Sequence, residues 1–397
     1  MFPPARRPVK MSTMRAVPTP IRGDIGPLRG ARSGGKPATG DGSLKRRRFS
    51  GSMIAALAAA ALGCGGETGT KSTPTTPDGP TLLFVTNSNA DWWNAVEKGM
   101  QDASAELKVT TVMKRNEGMT QGQVDRLKEA LSLPSVKGVA VSVFEADAPG
   151  VANAMKALRD AGKMVVAIDS DIAAGKESCR QGYIGTNNTK AGEAAGRAAA
   201  AIRPSGGKVI TFVGTSAAAN ARERKRGFFR GAGDKFIATE SMDDQSDKSR
   251  AATNVQTAVT KYPDAGVLLG LWSYNATAIA REVGKSSDLR AKVSVVTFDL
   301  DEAAVDHLAK GRIDVSVCQN PYEMGSQGVR LLKALIDKDE AGVKAVLPDG
   351  QHRDTGVRVI VPTGDSPVMK ALKGVGDEVI TIDEMKSWLA SKGLKSS

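Results

Sequence analysis

From Thr81 onward the chain alternates short apolar runs with longer amphipathic stretches, and this alternation restricts it to an α/β fold with parallel sheets and right-handed crossovers. The first half predicts strands at 82–86, 110–113, 138–143 and 164–168, separated by helices at 93–107, 121–131 and 148–161. The second half repeats the pattern, with helices at 190–202, 222–231, 250–262, 276–283 and 302–310 and strands at 208–213, 236–239, 266–271, 293–298 and 315–319. A helix at 325–337, a strand at 357–361, a strand at 378–382 and a helix around Trp388 follow. A chain of 397 residues exceeds one compact core. The pattern therefore reads as two similar doubly wound lobes joined by a three-strand hinge: 81–186 with about 320–344, and 187–319 with about 355–397. The chain is expected to cross between them near 183–186, at Gln319 and in the 340s.

The first strand runs into Asn87, Ser88, Asn89, Asp91, Trp92 and Trp93, at the carboxyl end where open α/β sheets hold ligands. The chain has 4 Trp, so half of them fall in this one loop. Hydrogen-bonding groups beside flat aromatic faces suit a sugar, which offers C–H faces and a rim of hydroxyls. Packing both rings in a core would instead require buried partners for the neighbouring Asn and Asp. Other strands also end in polar residues: Asp169-Ser170-Asp171, the stretch GTSAAANARERKRGF with Asn220 and Arg222, Trp272-Ser273-Tyr274-Asn275, Asp299, and Cys318-Gln319-Asn320. One such Asp is as well explained by a helix cap. Six loops that a two-lobed fold can aim at one cleft make a binding site the better reading.

The order and content of these loops resemble the ribose-binding-protein-like family of periplasmic sugar-binding proteins, over residues 81 to about 361. The matching motifs are VVAIDSD, YIGTNN, TSAAANARERKRGF, GLWSYN, VVTFD and VCQNPYEMG. The resemblance implies a type I periplasmic binding protein fold. It also implies that Asp169 and Asp299 bind sugar hydroxyls, that Arg222 is the clamp arginine, that Gln319 lies at the hinge, and that Trp92 and Trp93 sandwich the ring. Ser170 stands where the ribose binder itself carries Arg, so ribose specificity does not transfer.

Most of the net charge of +12 lies at the beginning of the chain. Through Arg48 there are 12 Lys or Arg against Asp24 and Asp41, a surplus of +10, so the remainder is nearly neutral and no nucleic-acid surface is expected. Residues 1–44 read as a disordered leader, with Met11 and Met14 as alternative starts. Residues 45–64, KRRRFSGS followed by a small apolar run and Cys64, have the layout of a secretory signal. Its end resembles a bacterial lipobox, which implies lipidation of Cys64 and anchoring to a membrane. Arg46-Arg47-Arg48-Phe49 also resembles a twin-arginine signal. Residues 65–80 read as a flexible tether. Cys179 and Cys318 are read as separate thiols.

Enzyme chemistry finds little footing. His307 and His352 lack metal-ligand spacing. Residues 30–36 imitate a phosphate loop but are followed by Pro37 and preceded by no strand. Arg224, Lys225 and Arg226 read as a solvated helix face. No catalytic residue, cofactor or metal is expected. The reading is of an exported, monomeric solute-binding protein that captures a monosaccharide or polyol and delivers it to an ABC-type permease. The alternatives are a lac-repressor-type regulator, whose helix-turn-helix has no place beside the signal segment, and a sugar-modifying enzyme lacking a visible base or metal.

Overall fold

The computed structural model describes residues 79–374 and 376–397; the leader, the signal-like segment with Cys64, residues 30–36 and nearly all of the tether lie outside the described residues. The first part of the chain forms β1 (Thr81–Val85), α1 (Trp93–Leu107), β2 (Thr110–Lys114), α2 (Thr120–Ser132), β3 (Val136–Val141), α3 (Pro149–Asp160), β4 (Met164–Ile168) and β5 (Tyr183–Gly185). Next come α4 (Asn188–Ile202), β6 (Gly207–Val213), α5 (Ala219–Ala232), β7 (Phe236–Asp243), α6 (Lys248–Lys261), β8 (Ala265–Gly270), α7 (Ser273–Val283), α8 (Ser287–Lys292), β9 (Ser294–Phe298), α9 (Glu302–Ala309) and β10 (Val315–Gln319). The last part holds α10 (Pro321–Asp337), α11 (Glu340–Val346), β11 (His352–Asp354), β12 (Val357–Val361), α12 (Pro367–Leu372), β13 (Glu378–Thr381) and α13 (Ile382–Ser391).

Two sheets result. One has the order β11-β5-β4-β3-β1-β2 and the other β13-β12-β10-β9-β8-β6-β7, so strands β2 to β5 of the first match β7 to β10 of the second in place. Every pairing is parallel except β10 with β12. Central strands such as β8 and β9 are buried along their whole length, as expected where helices cover both faces. In each lobe the order reverses between the first and third strands, which opens a crevice at the strands' carboxyl ends.

The chain returns to the first lobe after β10, where α10 packs on α1. It leaves again at Thr355–Gly356, because β11 pairs with β5 and β12 with β10. That third crossing lies beyond the 340s expected from the sequence. The short, polar β11, which begins at His352, offered no apolar run to find. Three helices also begin three or four residues earlier than their periodicity suggested, α5 at Ala219, α7 at Ser273 and α10 at Pro321. Cys179 and Cys318 are free, buried thiols, one in each lobe.

Candidate functional site

A small cavity lies between the lobes, bounded by loops that leave both sheets. The loop after β1 supplies Asn87, Ser88, Ala90, Trp92 and Trp93, and the end of β4 supplies Asp169. The second lobe supplies Asn220 and Arg224 from α5, Trp272, Ser273 and Tyr274 at the start of α7, Asp299 after β9 and Gln319 at the end of β10.

The aromatic walls are fixed by their own contacts. Trp92 and Trp93 meet edge to face at 4.9 Å and 85°, and the Trp93 indole donates to Ser88 Oγ at 3.3 Å. Across the cavity the Trp272 indole donates to Asn220 Oδ1 at 3.3 Å. Its ring lies on the backbone at Gly214, where a Cβ would meet Trp272 at 2.0 Å. Only glycine leaves room for that ring.

Asp169 and Asp299 are buried acids held by donors on one side. Asp169 Oδ2 accepts from Ser142 Oγ at 2.7 Å and Asn87 Nδ2 at 3.2 Å, while Tyr183 donates to its carbonyl at 2.7 Å. Asp299 accepts from Gln319 N at 2.8 Å and Gln319 Nε2 at 2.7 Å. Gln319 Oε1 in turn accepts from Thr186 Oγ1 at 3.0 Å, so the two neighbouring crossovers are tied together behind the site. Burial raises the Asp169 carboxyl to about 6, opposed by the Arg224 charge and by Ser142. Asp299 is also raised by burial and opposed by Arg224 and Gln319.

Arg224 is the charge between them. It is 1% exposed, donates to Asn188 Oδ1 at 2.9 Å and to the Leu271 carbonyl at 2.7 Å, lies 3.7 Å from Asp299, and covers the Phe298 ring at 4.7 Å. Among the described residues its Nη2 is buried with no acceptor at hydrogen-bond distance, and so is Trp92 Nε1, which faces the Asp299 carboxylate. Unpaired buried donors are costly, and two of them on one small cavity call for a ligand with acceptor oxygens.

Several expected residues stand elsewhere. Arg222 does not line the cavity: its side chain is 44% exposed and pairs with Asp147 of the first lobe at 2.6 Å. The reason is helix geometry, since Asn220, Arg224 and Phe228 share the buried face at i, i+4 and i+8 whereas Arg222 points the other way. That spacing is present in the sequence and would have identified Arg224. Asn89 is exposed and borders an outer chamber. Ser170 is buried in the turn behind Asp169, and Asp171 is engaged by Arg180 at 2.6 and 2.7 Å. Asn275 supports the wall, its Oδ1 accepting from Trp272 N at 3.2 Å and its Nδ2 donating to Asp244. Asn87, Trp92, Trp93, Asp169, Asn220, Trp272, Asp299 and Gln319 do meet around the cavity.

The periplasmic binding protein domain model matches residues 81–340. The ribose import binding protein RbsB of Salmonella typhimurium is 22% identical over 263 residues, covering 66% of this chain and 86% of that protein. Among solved structures, a solute-binding protein of an ABC transporter from Burkholderia graminis, in complex with D-arabinose, is 25% identical with a TM-score of 0.65, over 72% of this chain and 96% of its own. The glucose-galactose binding protein GanP from Geobacillus stearothermophilus is 25% identical with a TM-score of 0.64, over 72% and 98%. With two doubly wound lobes closed around a lined cavity, and a domain match across most of both, the chain belongs to the periplasmic binding protein family.

Proposed function

We propose that this protein captures a monosaccharide or related polyol between its lobes and delivers it to an ABC-type membrane permease, without making or breaking a bond. The observation that carries the reading is the lining of the cavity: aromatic faces and charged hydrogen-bonding groups from both lobes surround one space, the mix of flat apolar walls and a few placed polar groups that small-molecule sites show. Arg224 Nη2 and Trp92 Nε1 await acceptors, and the carboxylates of Asp169 and Asp299 can accept from ligand hydroxyls, a complement suited to a hydroxyl-rich ring. A D-arabinose complex and a ribose import protein among the relatives support the same ligand class. The binding residues in this reading are Asn87, Trp92, Trp93, Asp169, Asn220, Arg224, Trp272, Asp299 and Gln319.

The protein acts in this reading as a monomer in the periplasm or cell envelope, held to the membrane through lipid on Cys64. Thermal-shift screening against pentoses, hexoses and polyols tests ligand capture, because a ligand that binds only the folded state raises apparent stability. A panel in which no sugar moves the melting temperature, repeated by calorimetry with the same outcome, would remove the sugar reading.

A further inference from the structure

Tyr274 separates three spaces. It borders the inner cavity, an outer chamber that it shares with Ser88, Asn89, Ala90, Glu117, Ser246 and Lys248, and a groove along α6, α7 and α9; Ser88 and Ala90 form the rest of the boundary between the first two. The inner cavity is the smaller of these two spaces. The ring stands edge-on to Trp272 at 6.4 Å, and its hydroxyl donates to Asp244 Oδ1 at 2.5 Å.

Asp244 is fully buried and organises what surrounds Tyr274. Its Oδ2 accepts from Asn275 Nδ2 at 2.9 Å, its Oδ1 from Ser246 N at 2.9 Å, and its backbone N–H donates to Val213 O at 3.0 Å. The chain then turns through Gln245 and Ser246, both left-handed at φ 56° and 64°. That turn meets Gly118 of the first lobe so closely that a Cβ there would lie 2.7 Å from Gln245 O. One buried carboxylate therefore fixes a ring at the cavity wall and a turn at the cleft's lip.

Building on the sugar-binding reading, we propose that Tyr274, held in place by Asp244, is a specificity-determining partition that confines the ligand to a single unsubstituted ring and closes it off from the outer chamber. Asp244 is a positioning residue, acting through Tyr274. A charge-assisted bond to a buried acceptor keeps the ring from swinging aside to admit a larger ligand. Removing the ring joins the two spaces, and the polar lining of the chamber then accommodates a substituent.

The test is calorimetry on the wild type and on Tyr274→Ala, Tyr274→Phe and Asp244→Asn. The probes are D-arabinose, D-ribose, D-fucose, D-glucose and D-galactose, followed by the mono-O-methyl ethers and both methyl glycosides of the tightest binder. The wild type should prefer the free sugar to every derivative by roughly tenfold or more, the scale on which a pocket rejects one extra methylene. In Tyr274→Ala that preference should fall by about tenfold for at least one derivative, with a smaller fall in Asp244→Asn. Tyr274→Phe guards against misfolding, since it keeps the ring but frees it from Asp244. It should relax the preference by a few-fold while binding the free sugar within about threefold of wild type. A wild type that accepts the derivatives as tightly as the free sugar overturns the proposal, as does an unchanged preference in folded Tyr274→Ala and Tyr274→Phe. Absence of binding by any free sugar to the folded wild type removes the sugar reading and this partition with it.

Discussion

Asp169 and Asp299 occupy matching places in the two lobes and share an uncommon backbone conformation: each follows the fourth parallel strand of its lobe and each is left-handed, at φ 59° and 57°. Asp tolerates this region better than most residues, but two such positions facing one cavity mark conformations retained for what they present. Asp299 lies 3.7 Å from the Arg224 guanidinium of its own lobe, and Asp169 presents its carboxylate to the same charge from the other lobe. The site has a rough two-fold arrangement of acids around one central cation.

Truncating these groups should cost most of the affinity. Asp169→Ala, Asp299→Ala and Arg224→Ala each leave buried partners unpaired, a loss of about 2 to 5 kcal/mol, or roughly thirty-fold and more. Arg222→Ala is the discriminating control and should keep affinity within a few-fold, since Arg222 pairs with Asp147 outside the cavity. Calorimetry with the best ligand decides. Loss of binding in Arg222→Ala with retention in Arg224→Ala would reverse the assignment.

Gly214→Ala should impair binding without touching the ligand. The added methyl would collide with Trp272, whose ring must then tilt into the cavity. Affinity should fall at least tenfold and the tryptophan fluorescence of the empty protein should shift, both through loss of a stacking wall. An unchanged spectrum with unchanged affinity would mean that the backbone yields instead.

Two ion pairs bridge the lips of the cleft, Arg222 with Asp147 at 2.6 Å and Lys248 with Asp91 at 3.1 Å. Both are solvent-exposed, so each should add only about 0.2 to 1 kcal/mol to closure, and less in high salt. Arg222→Ala combined with Lys248→Ala should make the ligand-free protein more expanded in small-angle scattering while the saturated protein closes as before. Identical ligand-free profiles would show that the pairs do not bias closure.

The acids predict a pH signature. Asp169 and Asp244 are raised to about 6 from 3.8 for a solvated carboxylate, burial being the largest cause for both. The folded chain therefore binds more protons than the unfolded chain between those values. This contribution to stability is complete below 3.8 and is lost as pH rises through about 6. Relative to Asp169→Asn or Asp244→Asn, the wild type should gain up to roughly 3 kcal/mol on acidification from about pH 7 to about pH 4. Melting curves across that range measure it, and a constant difference between wild type and variants would contradict the assignment.

Anchoring is tested at Cys64. Fatty-acid labelling should mark the wild type and not Cys64→Ala. Absence of label on the wild type would leave export without a lipid anchor.

Most of the fold was legible because buried parallel strands leave an unmistakable apolar signature and their helices keep a clean period. The acids and Trp pair were legible because polar and aromatic residues directly after such strands have few structural uses. Arg224 was obscured by its neighbours, as four basic residues in five positions look like a wet helix face until the buried face is phased from Asn220 and Phe228. Asp244 escaped for a different reason, and Tyr274, although its loop was expected at the cleft, was not singled out. β7 is a half-exposed edge strand whose end carries no apolar signal, and Tyr274 gains its role only from what meets it in space.

The return of α10 to the first lobe governs when that lobe can form. Its sheet is largely complete once β5 has been synthesised, yet the face of α1 that receives α10 stays bare until residues 321–337 follow, and β11 arrives later still. Contacts this distant along the chain carry a large closure entropy and form slowly. A nascent chain therefore passes through a long interval in which neither half is finished.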